Sequence, residues 1–227
     1  MRFEDCSWMD VEKYLDAEDR LMIVLGACEQ HGYLSLLTDS KIPLALADAA
    51  SQQSGVLVAP VVNYGISPYF LEYPGSFSLR ISTYIDLVED IVRSAYHQGF
   101  RRILVVNGHG GNNPAQAKFY ELANELPQLQ ISWYSWWQSK SVEIVATKYE
   151  LRSFHAAWIE AFPFTRVGEL PEGVKIPARI PGLVGAKKAR QLYQDGVFGG
   201  PYKVDETILN EVFTAALEDI LQYLRFE

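Results

Sequence analysis

Cysteine is almost missing from this chain: Cys6 and Cys28 are the only two, and they do not form a CxxC pair. Two such residues build neither a disulfide framework nor a thiolate-rich structural zinc site. Histidine is nearly as scarce, at four. No apolar run approaches the roughly 20 residues of a membrane helix. The first residues, MRFEDCSWMDVEKYLD, carry acids where a signal peptide carries basic and then apolar residues. Basic side chains are in the minority, with 20 Lys and Arg against 28 Asp and Glu and a net charge of −8. That balance argues against a nucleic-acid surface or an anionic membrane surface, both of which want clustered Lys and Arg. These absences leave a soluble, cytoplasmic protein as the expectation, with no nucleic acid and no membrane among its partners.

What is present is enough apolar material for a sizeable core: 48% of the 227 residues are hydrophobic. That size suits one domain over residues 1–227 better than two small ones. Leu21–Leu25 (LMIVL), Val56–Val62 (VLVAPVV) and Ile103–Val106 (ILVV) are continuous and β-branched, the pattern of strands buried on both faces. An aromatic run, Ile131–Trp137, reads as a fourth strand. Helix-length segments lie between them. Pro43 is expected to open one, Thr83 and Asp86 to form a capping box for the next with Gly99 as its stop, and Pro114 to open a third. A last helix, from about Asp205 to Leu224, places Ile208, Val212, Phe213, Ala216, Leu217, Ile220, Leu221 and Leu224 on one stripe. This alternation predicts an α/β fold, a three-layer α/β/α sandwich around a mostly parallel sheet. The stretch Phe162–Gly185 holds four of the 11 prolines and is expected to be a long irregular connection of the kind used at functional sites or interfaces.

In an open parallel sheet, ligands gather beyond the carboxyl ends of the strands. LMIVL is followed by Glu29, Gln30 and His31, with Asp39 eight residues after His31. ILVV is followed by Asn107-Gly108-His109-Gly110-Gly111-Asn112, and the aromatic run is followed by His155 and Glu160. Oxygen and imidazole donors in this combination suit Zn²⁺, Mn²⁺ or Fe²⁺. Each motif also has a plain alternative: a surface polar pair at Glu29 and His31, a helix cap at Asp39, a tight turn at NGHGGN, or a histidine satisfied by backbone at His155. His97, beside Gln98 on a helix face, is assigned no role. The convergence of three polar motifs on one sheet edge outweighs any of them singly.

These residues resemble the creatininase (creatinine amidohydrolase) family. GACEQHGYLSLLTD is similar to the family's G-S-x-E-Q-H-G-x-H-L-P-L-G-T-D, and YGIS (Tyr64–Ser67) and YPGSFSLR (Tyr73–Arg80) to its Y-G-x-S and F-P-G-T-x-S-L. VNGHGGN and FHAAWIEAF follow in the family's order, so the resemblance spans roughly residues 20 to 165. It implies a binuclear metal-dependent amidohydrolase acting on a cyclic amide or other non-peptide C–N bond of a small molecule. Glu29, Asp39 and His109 would hold one ion and His31, Asp39 and Glu160 the other, with Asp39 bridging. A metal lowers the pKa of a water to about 7, giving a hydroxide nucleophile at neutral pH. His155 matches a histidine the family uses in proton transfer, and Glu160 joins it as a catalytic candidate.

Gly110, Gly111, Tyr64, Ser78, Trp137 and Trp158 are the candidate substrate contacts, with Trp133 and Trp136 further rings able to stack on a flat heterocycle. The resemblance also implies a homo-oligomer, often a hexamer. Within the family, a deformylase of formylamino-pyrimidine nucleotides and a cofactor-maturation peptidase are alternatives, and a non-catalytic regulatory homologue is a further one. The chain departs from the pattern at Leu34, where a second histidine is usual, and in a spacing from His31 to Asp39 one residue short. It also has Gly111 where some members carry a glutamate, and Ala157, Ala161 and Phe162 in the last motif. The basic cluster Lys187, Lys188 and Arg190 reads as a solvated helix face.

Overall fold

The computed structural model describes residues 1–180 and 182–227. Four parallel strands form its sheet: β1 (Arg20–Leu25), β2 (Leu57–Val58), β3 (Arg102–Asn107) and β4 (Gln130–Ser135), in the order β2-β1-β3-β4. Pairing runs in register from Arg20↔Arg102 to Leu25↔Asn107 and from Arg102↔Gln130 to Asn107↔Ser135. The three longer strands therefore end level with one another. Val56–Val62 was expected to be one strand, but its ladder stops at Val58 and resumes only as a bridge from Val62 to Leu25. Pro60, which has no N–H to donate, interrupts the run. The aromatic strand likewise ends at Ser135, and Trp136–Gln138 turn away in a 3₁₀ turn.

Successive strand residues point to opposite faces, which divides the core in two. Met22, Val24, Leu104 and Val106 pack with Leu46 of α2 (Thr38–Ser54), Val142 of α5 (Lys140–Lys148) and Val212 and Ile220 of α7 (Glu206–Tyr223). Leu21, Ile23, Ile103 and Val105 pack with Tyr84, Val88 and Val92 of α3 (Ile81–Gln98) and Phe119 and Leu122 of α4 (Gln116–Glu125). The result is the three-layer sandwich, and no helix among the described residues is long and apolar enough to cross a membrane. The stripe expected on α7 is largely buried, with Leu209 added to it. Asp205 caps that helix, accepting from the Thr207 N–H.

Three helix starts differ from expectation. The second helix begins at Thr38, so Pro43 lies inside it and Asp39 in its first turn. Pro43 leaves the Asp39 carbonyl without its usual donor, and Gly108 occupies the space against that oxygen, where a Cβ would overlap it. The third helix starts after Arg80 with no side-chain cap, so Thr83 and Asp86 make no capping box; Gly99, at φ 118°, ends it as expected. Pro114 lies in a 3₁₀ turn, Gly110–Ala115, that leads into α4. Between Phe162 and Gly185 the described backbone is irregular apart from β5 (Val174–Lys175), which pairs antiparallel with β6 (Gly200–Pro201); Pro181 lies outside the described residues. Two further short helices, α1 (Trp8–Leu15) and α6 (Ala186–Tyr193), complete the α-helices among the described residues.

Candidate metal centre

The level strand ends place the polar motifs side by side. β1 leads into the loop carrying Glu29 and His31, the first turn of α2 carries Asp39, and β3 leads directly into His109. Glu160 arrives on a 3₁₀ turn, Trp158–Glu160. All five side chains are buried. Asp39 sits at the middle of the group. Its Oδ2 is 2.9 Å from His109 Nδ1, which is 3.4 Å from Glu29 Oε1. Its Oδ1 is 2.9 Å from His31 Nε2, which is 3.9 Å from Glu160 Oε1. Glu29, Asp39 and His109 thus offer donor atoms within 4.8 Å of one another, and so do His31, Asp39 and Glu160. Glu29, His31 and His155 form a third such group.

The imidazoles are oriented from outside. His31 Nδ1 is 3.2 Å from the Glu29 carbonyl oxygen, and His109 Nε2 is 2.9 Å from that of Ile66. A ring N–H donated to each carbonyl leaves the other nitrogen with its lone pair facing the carboxylates, the arrangement of a metal-ligating histidine. Glu160 Oε2 accepts from the Ala156 N–H at 2.5 Å, which turns Oε1 toward His31. Glu29 Oε2 is buried without a hydrogen-bond partner, and the buried His31 Nε2 and Asp39 Oδ2 have only the 2.9 Å ion-pair contacts across the cluster, not aligned as hydrogen bonds. Buried polar atoms without well-aligned partners are costly, and imidazole and carboxylate atoms converging in this way fit a divalent cation.

The same proximity perturbs every ionisable group. Burial pushes the Glu29 and Glu160 carboxyls up to about 7, against the pull of the neighbouring imidazoles. Burial by itself would lower His31, but Asp39, Glu160 and Glu29 outweigh it and raise it to about 10. For His109, burial is likewise outweighed by Glu29 and Asp39, and the value rises to about 9. Burial would raise Asp39, yet the two imidazoles beside it hold it far below the ordinary carboxylate range. His155 goes the other way: burial, then the neighbouring His31, keeps it well below its usual value and therefore neutral. Its ring stacks on Phe70 at 4.7 Å and packs against Phe198 at 4.8 Å. Its Nε2 is engaged by Gln30, leaving Nδ1 on the side of the cluster, 3.8 Å from Glu29 Oε1.

Above the cluster lies a cavity of about 630 Å³, and Glu29, Asp39, His109, His155 and Glu160 all contribute to its lining. Of the candidate substrate contacts, Gly110, Gly111 and Trp137 line it. Trp158 does not: it is fully buried in the core and its Nε1 donates to the Arg152 carbonyl. Tyr64 is exposed and packs edge-on against Phe77, away from the cavity. Ser78 stands behind the site, its Oγ accepting from the Ser67 N–H. Trp133 packs on Phe119, and Trp136 is buried. At Gly111 a Cβ would overlap the Ile66 carbonyl and the His109 ring, so no side chain fits while His109 bonds that carbonyl.

Sequence reasoning missed Ser67, whose Oγ is 3.3 Å from His109 Nε2, and the rings of Phe70 and Phe198. Ser67 lies within the YGIS motif and was within reach. Nothing local to Phe198 marks it.

The family profile described as Creatininase: Creatinine amidohydrolase matches residues 4–224. A creatinine amidohydrolase of Pseudomonas putida is 32% identical over 116 residues, 48% of this chain and 45% of that protein. A mycofactocin precursor peptide peptidase of Mycolicibacterium smegmatis is 38% identical over 104 residues, 43% of this chain and 42% of that protein. The matches therefore span about half the length of these curated relatives. A solved manganese form of creatininase superposes with a TM-score of 0.85 at 20% identity, covering 99% of this chain and 97% of that one, a likeness of fold.

Proposed function

The chain belongs to the creatininase family, and from that premise we propose that it is a divalent-metal-dependent hydrolase of a non-peptide C–N bond, acting on a cyclic amide or a related small molecule. In this reading Glu29, Asp39 and His109 would hold one ion, and His31, Asp39 and Glu160 would hold a second. The observation that carries it is the pair of imidazoles, each with one ring nitrogen beside a carbonyl and the other aimed at Asp39. The donor set suits Zn²⁺, Mn²⁺ or Fe²⁺. Divalent ions there supply a nucleophile at neutral pH and polarise the substrate carbonyl.

The chain's own residues supply the rest. Glu160 is held through Oε2 and keeps Oε1 toward the cluster. Burial leaves His155 neutral, with Nδ1 the ring nitrogen that relays a proton to the departing nitrogen of the substrate. Gly110 and Gly111 border the reacting group beside His109. Two alternatives lose ground. A nucleotide substrate needs a cation for its phosphate, and among the described residues no Lys or Arg lines the cavity. A purely regulatory homologue has no use for five buried metal-type side chains gathered around one carboxylate. A peptidase remains a second reading, favoured by the similarity to the mycofactocin precursor peptide peptidase.

A single domain over residues 1–227, a homo-oligomeric (hexameric) assembly and a cytoplasmic location belong to the same reading. The exposed apolar side chains of Trp8, Val174 and Ile176 support the assembly, and two free cysteines support a reducing compartment. The test is reconstitution with Zn²⁺ or Mn²⁺ and assay on creatinine, hydantoin-like rings, formamides and short peptides. Turnover of a C–N bond that stops on chelation is expected. Protein that binds no divalent metal contradicts the reading.

A further inference from the structure

The wall of the cavity differs in chemistry from its floor. Apart from Glu29, Asp39, His109, Glu160 and His155, and the hydroxyl residues Ser67, Tyr69 and Ser153, the lining is apolar or glycine, with Phe70, Phe198, Trp137, Phe154 and Ile159 contributing. Phe70 and Phe198 are 5.8 Å apart and both pack on His155, so they begin next to the proposed proton relay. Phe198 is stacked from behind by Tyr193 at 3.9 Å, which fixes its ring. No Lys or Arg is among the described residues that line the cavity. Arg152 lies 5.6 Å from the Phe154 ring but lines a neighbouring groove, and Arg190 lies over Tyr73. A volume of about 630 Å³ falls within the range of about 300–1,000 Å³ for sites that take drug-sized ligands. A single small polar ring would leave most of this apolar surface wet.

We infer that the substrate carries an uncharged aromatic or comparably large apolar group beside its scissile C–N bond, seated among Phe70, Phe198, Trp137 and Phe154, and that phosphorylated molecules are excluded. The nature of the scissile bond rests on the hydrolase reading above; the apolar seat rests on the lining alone. Burying a ring against such a wall favours binding, whereas a phosphate seated on the wall, away from the cluster at the floor, would be desolvated with no Lys or Arg among the described lining residues to meet it.

The test uses the full-length protein titrated with 3-phenylpropanamide, propanamide and uridine monophosphate, followed by calorimetry and tryptophan fluorescence. The phenyl compound should bind at least about tenfold more tightly than propanamide, and the nucleotide should not bind. Phe198→Ala and Trp137→Ala should each remove most of that difference with circular dichroism unchanged. If one variant fails to fold, the other carries the comparison. Equal affinity for the two amides, or preferential binding of the nucleotide, overturns the inference. Turnover separates it from the hydrolase reading. Binding of the phenyl amide by a metal-loaded protein that cleaves no C–N bond sinks the hydrolase alone. Hydrolysis that ignores the phenyl group sinks the apolar seat alone.

Discussion

The floor and the wall of the cavity are built by different rules. The floor comes from strand ends in fixed register: His109 follows β3, Glu29 and His31 follow β1, and Asp39 sits on the first turn of the helix after them. Its side chains are locked by backbone carbonyls and amides, such as the Ile66 oxygen and the Ala156 N–H. The wall comes from connections, with Phe70 on a short turn and Phe198 between two helices, held by ring-on-ring packing. Ligands fixed on a rigid scaffold suit chemistry that tolerates little displacement. Rings on loops suit a specificity that varies without disturbing that chemistry.

Removing the ions should produce the largest effect and leave the wall untouched. Chelation is expected to abolish turnover, and Zn²⁺ or Mn²⁺ to restore it, while 3-phenylpropanamide still quenches tryptophan fluorescence. Metal loss should also lower the melting temperature, since an ion present at 100 times its Kd contributes about 2.7 kcal/mol; differential scanning calorimetry reads this directly. A melting point that does not move would place the ions outside the folded cluster.

His155 stands where the two regions meet, and its replacement comes next in size. His155→Gln should cut kcat by about 10²–10⁴-fold, the usual scale for losing a proton-transfer group. Metal content should stay at the wild-type level. Loss of metal in that variant would instead make His155 a ligand, through its grouping with Glu29 and His31.

Much of the floor was legible in the sequence because each of its residues lies within a few positions of an apolar strand or in a compact polar motif. Glu29, His31 and His109 follow runs whose period and length identify them as buried strands. The wall was legible only at Trp137, directly after the aromatic strand. Phe70, His155 and Phe198 meet through long-range packing that no local pattern records. Tryptophan content also misled: Trp158 neighbours Glu160 in sequence, but on its short turn it points into the core while Glu160 faces the cavity. The helix starts failed for a related reason. Proline and threonine are permitted at several positions near a helix start, and α2 begins at Thr38 with Pro43 inside it, where Gly108 packs against the Asp39 carbonyl.

That misreading gives the smaller predictions. Trp158→Ala should cost about 3–5 kcal/mol of stability in denaturant unfolding, as a buried ring lost from the core, with KM unaffected in whatever protein remains folded. Tyr64→Ala, on the exposed surface, should change stability by no more than about 0.5 kcal/mol and leave KM alone. A rise in KM for either would move the substrate off the wall described above.

The shared carboxylate Asp39 is the centre of the account, and metal analysis of Asp39→Ala tests it most directly. Mass spectrometry of the dialysed, folded protein should find two ions per chain in the wild type and essentially none in Asp39→Ala, because both donor sets lose a member. Full metal content in Asp39→Ala would contradict the account.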